Sequence, residues 1–218
     1  MRPRAHRILL TAASAALAAL LLPPLAAAQP SSPPPPPPGG GGYGGGYYAG
    51  PPPVRQGLTV GFGFGVGAMD SDSNLAQCFD CDYEPGAVSF DFHLGGMINP
   101  QMAALFELWV QGQQIDEAGF NWLNQVLVMG ALQYWLTPQF WLKGGLGIAN
   151  LSVHYDDGYY YGDDDVAQGL ALMGAAGYEV LHSTRFAIDL QLRLGSGSYD
   201  GIDEQVNTAM IAVGFNWY

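Results

Sequence analysis

The sequence predicts an all-β fold: an eight-stranded antiparallel up-and-down transmembrane β-barrel with short periplasmic turns and long outer loops. Three observations predict it. From residue 57 onward, eight segments alternate large apolar residues with polar or small ones at a period of two, the signature of strands whose faces meet different surroundings. The connections between these segments alternate short and long, the asymmetry of a single chain threaded through a bilayer. Within the segments, the ionised side chains fall opposite the aliphatic stripe.

The first 28 residues stand apart from this pattern. Arg2, Arg4, His6 and Arg7 precede an Ala/Leu-rich run from Ile8 to Leu22, and Ala26-Ala27-Ala28 supplies an A-x-A cleavage site, so residues 1–28 read as a secretory signal peptide. The run is short for a membrane-spanning helix and ends in Pro23-Pro24. Residues 29–56 follow as a disordered periplasmic linker: Pro33 to Pro38, then Gly39 to Gly46 around Tyr43, then Pro51 to Pro53. Proline keeps such a chain extended and glycine keeps it flexible, and neither builds a core. Three of the seven Lys and Arg lie in the leader and none of the nineteen Asp and Glu does, so the remainder carries a net charge of −15. That charge excludes nucleic acid and an anionic lipid surface as partners.

Residues 57–218 are expected to form the barrel. The first segment, Leu58 to Met69, sets Leu58, Val60, Phe62, Phe64 and Val66 against Gly61, Gly63, Gly65 and Gly67. Glycine weakens a strand, so this row implies an interior crowded by side chains from other strands. The second, Ala87 to Ile98, opposes Val88, Phe90, Phe92 and Leu94 to Ser89, Asp91 and His93. The third, Met102 to Gln111, opposes Phe106, Leu108 and Val110 to Glu107, Trp109 and Gln111. The fourth, Trp122 to Leu136, directs Val126, Val128, Leu132 and Tyr134 outward and Gln125, Met129, Gln133 and Trp135 inward. The fifth, Phe140 to Leu151, opposes Leu142, Leu146 and Ile148 to Trp141 and Lys143. The sixth, Gln168 to Leu181, opposes Leu170, Leu172, Tyr178 and Val180 to Met173 and Glu179. The seventh, Arg185 to Leu194, is the most regular: Phe186, Ile188, Leu190, Leu192 and Leu194 against Arg185, Asp189, Gln191 and Arg193. The eighth, Thr208 to Trp217, opposes Ile211, Val213, Phe215 and Trp217 to Thr208, Met210 and Asn216.

The short connections are Asn99-Pro100-Gln101, Thr137-Pro138-Gln139 and His182-Ser183-Thr184; the long ones are 70–86, 112–120, 152–167 and 195–207. A charge at mid-membrane on the lipid face would be destabilising by roughly 2–4 kcal/mol, and the apolar stripes hold none. The opposite face mixes charges with Trp109, Trp135, Trp141, Met129 and Met173, which suits a closed interior better than a wet surface. Tyr134, Phe140, Tyr178, Phe186 and Trp217 fall near the short-turn end, as an interfacial girdle should.

Eight strands enclose a lumen that side chains nearly fill, so a plugged barrel is expected rather than a pore. Its polar network comprises Asp91, His93, Glu107, Lys143, Glu179, Asp189 and Arg193, and buried charges require partners. The expected pairs are Lys143 with Glu179, Arg193 with Asp189, and His93 opposite Glu107 in a hairpin centred on Pro100. The network reads as structural.

The eight segments, the loop asymmetry, the leader and the final strand Val213-Gly214-Phe215-Asn216-Trp217 resemble the small eight-stranded outer-membrane β-barrel family. That family includes the barrel domain of outer membrane protein A and the Ail/OmpX-like porin-family proteins. Tyr218 extends one residue past the usual terminal aromatic. The resemblance implies the outer membrane of a Gram-negative bacterium, surrounding lipid, and recognition of the last strand by the barrel-assembly machinery. It also implies a structural or adhesin-like surface role; a monomer is expected, and the peptidoglycan-binding domain that follows the barrel in outer membrane protein A is expected to be absent, because the chain ends with the eighth strand. A narrow porin-like channel and a lipid-modifying enzyme are the alternatives.

The long loops carry fifteen of the nineteen acids and no Lys or Arg. Asp70, Asp72 and Asn74 begin like a calcium loop, but Leu75 stands at the glycine position and Cys81 at the closing Glu. Those three, with Asp163, Asp164 and Asp165, are candidates for weak divalent bridging or simply for solvation. Tyr155, Tyr159, Tyr160 and Tyr161 offer contact groups of the kind common at interfaces, or a solvated rim. Cys78 and Cys81 are expected to form a local disulfide in an exported protein. No metal site, cofactor or catalytic group is expected: His154, beside Ser152 and Asp156, lacks a nucleophile motif.

Overall fold

The structure, a computed structural model, describes residues 54–71, 86–115, 121–156, 161–199 and 204–218. Eight strands form a closed antiparallel barrel in chain order: β1 (Leu58–Ser71), β2 (Ala87–Asn99), β3 (Met102–Gln114), β4 (Trp122–Trp135), β5 (Phe140–Asp156), β6 (Tyr161–His182), β7 (Phe186–Tyr199) and β8 (Glu204–Trp217). β1 closes the barrel by pairing with β8, from Val60↔Trp217 to Ser71↔Val206. No sheet edge is left along the apolar band, which is how strands satisfy their backbone groups inside lipid.

The period-two faces sort as the sequence demands. Leu146 and Leu170 are 73% and 74% exposed, and Val66, Ile148, Leu192 and Ile211 are also exposed, whereas Glu107, Glu179, Asp189 and Arg193 are all at 0%. A water-soluble barrel would show the reverse. Only a lipid-solvated exterior makes this inversion stable.

Local chemistry explains the short turns. The Gln101 N–H donates to Asn99 Oδ1 at 2.8 Å, an Asx turn. The Phe140 N–H donates to Thr137 Oγ1 at 3.0 Å while the Leu136 N–H reaches the Phe140 carbonyl at 2.9 Å. In the third turn the Ser183 N–H meets the Phe186 carbonyl at 2.7 Å. At the other end the strands run further than their apolar pattern indicates. β3 reaches Gln114, β5 Asp156 and β7 Tyr199, while β6 starts at Tyr161 and β8 at Glu204. The expected long connections at 112–120, 152–167 and 195–207 are therefore largely hairpin extensions. The apolar stripe ends where lipid ends, but the backbone ladder continues beyond it. His154 accordingly lies on β5, paired with Asp163 and Trp122, and not in a loop. Arg185 is exposed in the turn before β7 and does not point inward.

Inside, large side chains face glycines, across the ladder or across the lumen. A Cβ at Gly177 would lie 2.2 Å from the Trp141 ring, and one at Gly195 would lie 2.7 Å from the Trp109 ring. The glycines make room for the tryptophans that close the lumen.

Candidate functional site: a filled lumen

The inward side chains stack in layers from the short turns to the outer end. At the short-turn mouth, Glu179 of β6 and Trp135 of β4 meet Tyr218, the residue after β8. Glu179 Oε1 accepts from the Trp135 indole at 2.9 Å and from the Tyr218 hydroxyl at 2.9 Å. Burial, then the Glu179 carboxylate, push the Tyr218 phenol well above the usual tyrosine range, so it stays a donor.

One layer further in, Asp189 accepts three neutral N–H groups: Gln191 Nε2 at 2.8 Å, Trp141 Nε1 at 2.9 Å and Asn216 Nδ2 at 3.0 Å. The central layer holds the ion network. Lys143 Nζ lies 3.0 Å from Glu107 Oε2, the Arg193 guanidinium also bonds Glu107, and Arg193 Nη1 lies 3.2 Å from Asp91 Oδ2. His93 Nδ1 stands 4.0 Å from Asp91. The Trp109 ring covers Arg193, 4.6 Å from ring centroid to guanidinium carbon. Above it, Gln125 Nε2 donates to the Tyr199 hydroxyl at 2.7 Å, and Gln113 Oε1 accepts the Met69 N–H at 2.9 Å, among buried Leu123, Leu127, Leu151, Val153 and Val206.

All seven expected network residues are buried in the lumen, and His93 pairs with Glu107 in register. Two expected pairings differ. Lys143 does not meet Glu179: its β6 register partner is Ala175, and Glu179 lies four residues away along that strand, about 13 Å at strand rise. Lys143 reaches across to β3 instead. Arg193 does not meet Asp189 directly, since they too are four residues apart; Gln191 sits between them and donates to Asp189 while accepting from Arg193 at 3.0 Å.

The residue that the sequence pattern missed is Arg55. Composition places it at the end of the linker, yet it is buried in the mouth, where its Nη2 lies 2.8 Å from both Glu179 oxygens. Charge balance carries the signal for it. Asp91, Glu107, Glu179 and Asp189 outnumber the two inward cations on the strands, Lys143 and Arg193, and that excess points to a cation from outside them.

Of the loop candidates, Asp70 is exposed at the outer end of β1, in register with Asn207. Asp72, Asn74, Cys78, Cys81, Tyr159 and Tyr160 lie outside the described residues. Tyr155 and Tyr161 lie near the tip of the β5–β6 hairpin, in the pairs Tyr155↔Gly162 and Asp156↔Tyr161, and Asp163 to Asp165 follow on β6. Among the described residues, no group of three His, Cys, Asp or Glu is placed to hold a metal ion.

No protein-family model matches the sequence, and no curated protein does. Among solved structures, the attachment invasion locus protein Ail of Yersinia pestis is similar, at a TM-score of 0.50 and 13% identity, covering 74% of this chain and 99% of that one. The same values hold for Ail in complex with the heparin analogue sucrose octasulfate. Neisserial surface protein A is similar at a TM-score of 0.48 and 12% identity, covering 72% of this chain and 95% of that one. At such identities the likeness is one of fold: this chain has the architecture of a small eight-stranded outer-membrane β-barrel.

Proposed function

We propose that this chain is an outer-membrane barrel with a plugged lumen, whose work is done at the cell surface by the projecting β5–β6 hairpin. One observation carries the reading: side chains occupy the lumen at every level, with Trp109 at 0%, Trp141 at 1% and Trp135 at 2% exposure. A solute path would have to breach a paired ion network held under a tryptophan. Purified protein in planar bilayers is expected to show no steady conductance, and a stable open level refutes the plugged barrel.

The surface role rests on the shape of the hairpin. The last outward apolar pair is Ile148↔Leu170, and pairing continues to Asp156↔Tyr161, roughly 26 Å further along the strand. β7 ends its pairing with β6 at Gly169↔Tyr199, so among the described residues Tyr161 to Gln168 pair only with β5. A two-stranded ribbon with tyrosines near its tip is a contact element. The outer connections carry acids and no Lys or Arg. A neutral or cationic surface is the fitting partner. Cells expressing the protein are expected to attach to host cells or matrix more than deletion cells do, and trimming 155–161 to a tight turn should abolish the difference. Equal attachment of all three strains removes the adhesive role. No enzymatic step is proposed.

A further inference from the structure

The short-turn mouth holds a cluster that neither a plugged lumen nor a surface hairpin requires. Glu179 has no exposure, and two neutral donors already solvate its Oε1. The Arg55 guanidinium approaches both of its oxygens at 2.8 Å and donates to the Pro138 carbonyl at 2.7 Å. Its central carbon stands 4.6 Å from the Trp135 ring centroid and 5.3 Å from that of Tyr218. A carboxylate, a carbonyl and two aromatic rings around one planar cation are the recognition chemistry of guanidinium.

Arg55 arrives there from a segment that belongs to no strand and precedes β1. The segment 54–57 is held by the Val54 N–H on the Thr184 carbonyl at 3.1 Å and the Met97 N–H on the Gly57 carbonyl at 2.8 Å. Gly57, at φ 76°, has the only positive-φ glycine backbone among the described residues, and it turns the chain into the mouth. The segment can therefore leave without breaking a β1 ladder bond. Trp135 and Glu179 remain on β4 and β6 when it does.

We propose that the mouth is a guanidinium-binding site which Arg55 fills from within the same chain, as the head of a releasable strap hinged at Gly57. With the strap released, the site takes a guanidinium group from outside. Arg55 thus competes with any arginine side chain presented at this end of the barrel.

The test uses the full-length barrel in detergent micelles, unfolded in urea and followed by tryptophan fluorescence. Arg55→Ala is expected to unfold at least about 10-fold faster, because it strands a buried carboxylate. Millimolar methylguanidinium should slow its unfolding back towards the parent rate, methylammonium at equal concentration should not, and neither should act on the Arg55→Ala/Glu179→Gln protein. The proposal is overturned if Arg55→Ala unfolds at the parent rate, if methylammonium rescues equally, or if the response survives in the double variant. Should Arg55→Ala fail to fold with or without methylguanidinium, Arg55→Lys decides. Faster unfolding than the parent supports a site built for the planar cation, and the parent rate overturns it.

Discussion

Replacing Arg193 by leucine is expected to lower barrel stability by about 3–5 kcal/mol, the largest effect of any single side chain in the lumen. The guanidinium bonds Glu107 and lies 3.2 Å from Asp91, with 0% of its surface exposed. Leucine removes the charge and leaves two carboxylates to share Lys143, in a layer that water does not reach. Removing one partner of a buried pair is harmful mostly because of the partner left behind. The double variant Arg193→Leu/Glu107→Leu should therefore recover at least half of the loss, since Asp91 and Lys143 then balance each other. Urea midpoints in micelles give both numbers. A double variant no better than the single one would mean that the network acts by packing, with charge a minor part.

Gly177→Val is expected to be the most damaging substitution that adds rather than removes atoms, at about 3 kcal/mol from overpacking and a lost hydrogen bond. The new Cβ would lie 2.2 Å from the Trp141 ring, which is 1% exposed. Displacing it breaks the 2.9 Å bond from its Nε1 to Asp189, a carboxylate that holds only neutral donors. Gly130→Ala is the control: it faces outward with nothing within 4 Å of its added Cβ, and a change below about 0.5 kcal/mol is expected. Loss of the slow-unfolding, heat-modifiable gel band in Gly177→Val but not in Gly130→Ala would separate the two faces. Equal behaviour would contradict the tight contact between Trp141 and Gly177.

The barrel was legible in the sequence because alternation is a local property. Phe186 to Leu194 shows both of its faces without any knowledge of its neighbours. The hairpin centred on Pro100 likewise brings His93 to Glu107, because a tight turn sets the register of the strands that it joins. Contacts across the lumen are another matter. Lys143, Glu107 and Arg193 come from β5, β3 and β7, which are not neighbours in the sheet, and only closure and stagger bring them together. The outer strand ends were hidden for a different reason. Past Ile148 and Leu170 the outward residues turn polar, so the pattern stops while the hydrogen bonding goes on. Arg55 was masked by the prolines and glycines before it, whose composition describes a tether.

The described residues include four basic ones: Arg55, Lys143 and Arg193 are buried in the barrel, and Arg185 is exposed in the turn between β6 and β7. Trypsin cuts only after lysine or arginine. Among the described residues the folded protein thus offers the protease a single open bond, Arg185–Phe186, at the short-turn end. Intact cells should keep the protein whole through any length of digestion, and cells with a breached outer membrane should yield one nick.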